Sequence, residues 1–83
     1  MTYRVYLRNF QQQVYPKAKT VTSSRAAAAA AFAELVNRTD LDGQPLAAAL
    51  TFNNRQLAFH RFDREPGCAD YWRDKLEEIQ WPE

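Results

Sequence analysis

Residues 46–62 constrain the chain most, because one two-residue turn organises the whole stretch. If Asn53-Asn54 forms that turn, whose positive φ angles asparagine tolerates, then Phe52 faces Arg55, Leu50 faces Leu57, Ala48 faces Phe59 and Leu46 faces Arg61. The larger apolar side chains then share one face. Thr51 with Gln56, Ala49 with Ala58 and Ala47 with His60 make a smaller, more polar opposite face. A slip of one residue would invert this division, so the pattern predicts a hairpin and its register together.

Two further segments have the period of strands. From Thr2 to Asn9, Tyr3, Val5 and Leu7 alternate with Arg4, Tyr6 and Arg8, which marks a half-buried strand. Residues 14–22 resume the pattern, with Ala18, Thr20 and Thr22 set against Lys17, Lys19 and Val21. Pro16 cannot donate to a ladder, so this second strand belongs at a sheet edge or starts after the proline.

The run Arg25-Ala-Ala-Ala-Ala-Ala-Ala-Phe32 has high helix propensity, and Ser23 or Ser24 can cap it. A helix over Ser24–Arg38 follows, with Ala28, Ala31, Phe32, Leu35 and Val36 as its apolar stripe and Glu34 paired to Arg38. Residues 39–45 are turn-forming. Ala69–Gln80 reads as a second helix burying Ala69, Trp72, Leu76 and Ile79 before Trp81-Pro82 stops it.

With 83 residues and no long linker, residues 1–83 make a single domain. The expected class is α+β, in the order β-β-α-β-β-α, with a four-stranded antiparallel sheet and both helices on one face. The expected core is Tyr3, Val5, Leu7, Phe32, Leu35, Val36, Leu50, Leu57, Phe59, Trp72, Leu76 and Ile79.

Chemistry is sparse. The lone Cys68 excludes an intramolecular disulfide and a cysteine-paired zinc site, and reads as a half-buried thiol beside a helix start. His60, the only histidine, reads as a strand-surface residue with no second imidazole for a metal and no nucleophile at a recognised spacing. Two glycines, Gly43 and Gly67, give no phosphate-cradling loop. Asp40, Asp42 and Gln44 lack the downstream acidic ligand of a calcium loop. The expectation is therefore no enzyme, no catalytic residue, no cofactor and no metal. The absence of a long apolar run or leader-like start points to a cytoplasmic protein without membrane contact.

The net charge of +1 hides a polarised chain. Residues 1–25 carry five bases (Arg4, Arg8, Lys17, Lys19, Arg25) and no acid, whereas residues 63–83 carry seven acids and three bases. Alternation sets Arg4, Tyr6 and Arg8 beside Lys17 and Lys19, with Tyr15 and His60 nearby, on the sheet face away from the helices. These five residues, Arg4, Tyr6, Arg8, Lys17 and Lys19, form the candidate partner-binding surface, since Tyr and Arg are enriched at interface hot spots. The same surface suits a nucleic-acid-binding regulator, with bases on the aromatics and cations on phosphates, although the glycine-aromatic motif of the common RNA-binding sheet is absent. Asp70, Asp74, Glu77 and Glu78 offer a second, acidic surface on the last helix. A chain this small leaves homodimerisation open.

In size and element order the chain resembles small anti-CRISPR proteins of phages and mobile elements. The resemblance rests on the strand Tyr3 to Arg8, the passage Val21-Thr22-Ser23-Ser24-Arg25 into the alanine-rich helix, and the hairpin Leu50 to Phe59, and it covers residues 3–62. It implies a non-enzymatic protein that occupies a surface of a CRISPR effector complex, and it transfers no individual binding residue.

Overall fold

Asn53 and Asn54 do take the left-handed conformation, with φ of 49° and 68°, and the hairpin they close is one half of a four-stranded antiparallel sheet. This computed structural model describes residues 2–11 and 13–82, the side chains of Pro16 and Lys17 excepted. Its elements are β1 (Tyr3–Asn9), β2 (Val14–Thr22), α1 (Arg25–Val36), β3 (Leu46–Phe52) and β4 (Arg55–Arg61), with short 3-10 turns at Thr39–Leu41 and Leu76–Glu78. The strand order is β2-β1-β3-β4, so β2 is an edge, the first of the two placements its proline allows, and it begins before Pro16.

Alternation along β1 works as read: Tyr3, Val5 and Leu7 are buried, whereas Arg4, Tyr6 and Arg8 are half-exposed. Opposite them on β3, Leu50 pairs with Val5 and Ala48 with Leu7, forming the bed for α1. Ser24 rather than Ser23 caps this helix, its hydroxyl accepting the Ala27 amide at 3.2 Å. Ala28, Phe32, Leu35 and Val36 are its buried stripe, and full burial of Phe32 alone is worth about 2–3 kcal/mol. The helix ends at Val36, two residues before the expected Arg38: Asn37 leaves the helical dihedrals at φ −84° and ψ 4°, its Nδ2 donates to the Ala33 carbonyl, and the Arg38 amide turns to the Leu35 carbonyl in place of Glu34. Arg38 therefore leaves Glu34 and pairs with Asp40 at 2.9 Å.

Two larger expectations also need correction. The first is the hairpin register, which holds only at the tip, where Phe52 pairs with Arg55 and Thr51 with Gln56. Beyond it Leu50 pairs with Ala58, Ala49 with Phe59, Ala48 with His60 and Ala47 with Arg61. Leu57 is the extra residue of a β-bulge, and from that point every β4 side chain changes face. Leu57 stays half-buried against the core, Phe59 moves to the face away from α1, and His60 becomes wholly buried.

The second is the closing helix, which does not form between Ala69 and Gln80 apart from the turn at Leu76–Glu78. Its backbone bonds elsewhere: the Asp70 carbonyl accepts the Arg61 amide at 2.7 Å, and the Trp72 amide donates to His60 Nδ1 at 3.0 Å. An isolated twelve-residue helix is marginal, and these tertiary bonds override its propensity. Tyr71 and Ile79 are buried, whereas the expected core residues Trp72 and Leu76 are only half-buried. Cys68 is exposed and begins no helix.

Residues 69–82 thus form an irregular strap on the α1 side of the sheet. Trp81 meets Tyr3 edge-on at 5.7 Å, while His60 is flanked by Phe62 and Tyr71 at 4.7 and 4.9 Å.

Candidate functional site

Charge is segregated by element. The four strands carry six bases (Arg4, Arg8, Lys17, Lys19, Arg55 and Arg61) and no Asp or Glu, so all ten acids lie in the helix, the loops and the C-terminal segment. With α1 and the strap on one side of the sheet, no element among the described residues covers the other side.

On that open side, paired Cα positions define rows across β1, β3 and β4. Arg4 lies opposite Thr51 and Thr51 opposite Gln56; Tyr6 opposite Ala49 and Ala49 opposite Phe59; Arg8 opposite Ala47 and Ala47 opposite Arg61. Small side chains on β3 therefore floor a trough whose walls are Arg4, Tyr6 and Arg8 on one side and Gln56, Phe59 and Arg61 on the other. Ala47 and Ala49 are buried because the longer wall residues lean over them: the Arg8 guanidinium lies 5.8 Å from the Phe59 ring centroid.

Each cation has a distinct attachment. Arg4 Nη1 donates to Asn54 Oδ1 at 3.0 Å, which fixes it to the hairpin tip. Arg8 Nε donates to the Asn9 carbonyl at 3.2 Å. Arg61 stacks at 4.3 Å on Phe10, itself in the β1–β2 connection, and donates to both carboxylate oxygens of Asp63 at 3.0 and 2.9 Å. That pairing holds the Asp63 carboxyl below its usual range and neutralises one wall cation. Arg4 and Arg8 keep guanidinium donors available for a ligand, since each has five N–H groups.

Of the expected surface residues, Arg4, Tyr6 and Arg8 share this face. Lys19 is exposed on β2, and alternation with the inward Ala18 and Thr20 sets it on the same side. The Lys17 side chain lies outside the described residues. Tyr15 pairs with Leu7 across an irregularity in which β1 advances two residues, Val5 to Leu7, while β2 advances five, Thr20 to Tyr15. It lines a recess with Phe10, Pro45 and Leu46 rather than the trough. His60 is on the opposite face. Phe59 and Arg61 belong to the site and were missed, because the signal that would have found them is the bulge at Leu57, which alternation alone does not reveal.

Comparison with known families, curated proteins and solved structures finds no match. Among the described residues, no three His, Cys, Asp or Glu side chains are placed to hold a metal ion, and no helix is long and apolar enough to cross a membrane. A recess of about 480 Å³ between the hairpin tip and the strap is lined by Phe52, Asn53, Arg55, Leu57, Gln80, Trp81 and Pro82, with Arg55 its one ionisable side chain among the described residues.

Proposed function

We propose that the protein is a small, non-enzymatic interaction module that docks through the open face of its sheet on an anionic partner surface. The supporting observation is the segregation of charge: the strands carry no acid, and Arg4, Arg8, Lys19 and Arg61 lie on the open face, with Tyr6 between Arg4 and Arg8 over an alanine floor. Arginine and tyrosine are enriched among the few residues that dominate binding at interfaces, and a basic face speeds encounter with an acidic one. The anti-CRISPR resemblance narrows the partner to a bacterial nucleoprotein assembly such as a CRISPR effector complex, with the module acting as an inhibitor carried by a phage or mobile element.

Capture from a bacterial lysate by the tagged chain, with and without nuclease, tests the reading. A stoichiometric protein complex that survives nuclease supports it.

The same cations and Tyr6 also favour a second reading, direct binding of nucleic acid, where bases stack on the ring and phosphates take the guanidinium groups. Recovery that disappears on nuclease treatment identifies this case. Its affinity for an oligonucleotide should then fall linearly with log salt, with a slope set by the number of phosphates contacted.

A further inference from the structure

His60 is wholly buried, yet its ring has a single hydrogen bond: Nδ1 accepts the Trp72 amide at 3.0 Å, and the buried Nε2 has no partner among the described residues. The acceptor role fixes the tautomer. Nδ1 must carry no proton, so Nε2 carries it, facing no acceptor. A buried polar group left in this state is costly and calls for a physical reason.

What His60 holds is the first part of the strap, at Trp72. Between residues 69 and 82 only Tyr71 and Ile79 are buried, and the regular structure is one 3-10 turn. Besides the imidazole, the strap is tied down by the Arg61 amide on the Asp70 carbonyl, by Arg73 on Asp42 and on the Val36 carbonyl, and by Trp81 against Tyr3. A segment with few buried groups and few backbone bonds opens at lower free energy than the sheet beneath it.

We propose that residues 69–82 are a proton-released strap, held closed by His60 only while the imidazole is neutral and lifted by acid while the sheet and α1 stay folded. A proton on Nδ1 replaces the acceptor with a second donor pointing at the Trp72 N–H. It also sets a cation in a buried site facing Arg73, which is itself part of the strap. The groups facing His60 are the Phe62 ring from the end of β4, Tyr71, Arg73 and Asp74 from the strap, and Asp42 from the loop after α1. The carboxylates oppose the effect, but burial and Arg73 outweigh them and hold His60 at about 4, against 6.5 for a free imidazole. Asp42, engaged by Arg73, is held below its usual range, so that pair stays intact while His60 titrates.

Linkage gives the size of the effect. If the ring titrates at 6.5 with the strap open and about 4 with it closed, the open population rises about 30-fold between pH 6.8 and 4.8. Hydrogen exchange of the full chain, corrected for intrinsic rates, reads this directly. Protection of the Trp72, Lys75 and Ile79 amides should fall by that factor and stay well below that of the β1 and β3 amides at both pH values, because the sheet exchanges only on global unfolding; His60→Asn, which keeps an acceptor but does not titrate, should remove the pH dependence. Strap protection that is constant over this range, or that falls equally in His60→Asn, would overturn the proposal, as would strap amides as well protected as those of the sheet, which would leave no opening short of global unfolding. Where His60→Asn does not fold, NMR titration of the wild-type imidazole decides: ring protonation must move the Trp72 amide and the Trp81 indole together, and titration of His60 with both unmoved contradicts the mechanism.

Discussion

Arg73 grips Asp42 through two hydrogen bonds, 3.1 Å from Nη1 to Oδ2 and 2.6 Å from Nη2 to Oδ1, and with Nε closes the Val36 carbonyl at 2.8 Å. One side chain thereby joins the C-terminal segment, the end of α1 and the following loop. Its planar fork is what allows three directed bonds, which a lysine cannot reproduce.

Arg73→Ala should lower unfolding free energy by about 1–2 kcal/mol, with most of the loss in the Val36 bond because the ion pair is partly open to solvent. A double-mutant cycle with Asp42→Asn, read by urea denaturation, should give a coupling of about 1 kcal/mol or less. Arg73→Lys should recover only part of it.

The bulge at Leu57 makes opposite demands on adjacent residues. His60→Lys puts an unpaired charge in a sealed site and should cost about 3 kcal/mol or more, whereas Phe59→Lys, on the open face, should cost about 1 kcal/mol. Thermal melts of the two variants check this, and the unbulged register predicts the reverse order.

These two residues also mark where sequence and structure part. Strand period, turn residues and the alanine-rich helix were legible because each is a local preference: Tyr3, Val5 and Leu7 face inward, Asn53-Asn54 turn, and Phe32, Leu35 and Val36 dock. The hairpin pattern looked self-consistent without a bulge, since alanines at 47–49 fit either face. What selects the observed register is distant in sequence, namely the strap that needs His60 Nδ1 for the Trp72 amide. The same contact explains the missing helix, whose acidic row of Asp70, Asp74, Glu77 and Glu78 suggested a solvated face. For the candidate site, Arg4, Tyr6, Arg8 and Lys19 followed from alternation, and Phe59 and Arg61 required the bulge.

Burial of neutral His60 makes stability depend on pH in a definite direction. Its folded pKa is depressed to about 4, so the unfolded chain takes up the proton first. The contribution is complete above about pH 6.5 and is lost as pH falls towards 4. Urea unfolding at pH 5 should give a free energy about 2 kcal/mol below that at pH 7, and His60→Asn should flatten the difference.

Ser24 alone caps α1, so Ser24→Ala should cost about 1 kcal/mol and Ser23→Ala only a few tenths. Denaturation midpoints of the two variants separate them, and equal losses would contradict the cap assignment.

The open sheet face carries the functional reading, and its most direct test uses the partner captured from lysate. Binding of that partner to wild type should be compared with binding to a chain bearing Arg4→Ala, Tyr6→Ala, Arg8→Ala and Lys19→Ala together, with circular dichroism and Tm measured in parallel. Binding should be at least a hundredfold weaker, about 3 kcal/mol, with the spectrum unchanged and the variant still fully folded at the temperature of the binding assay. Undiminished binding by that folded variant would contradict it.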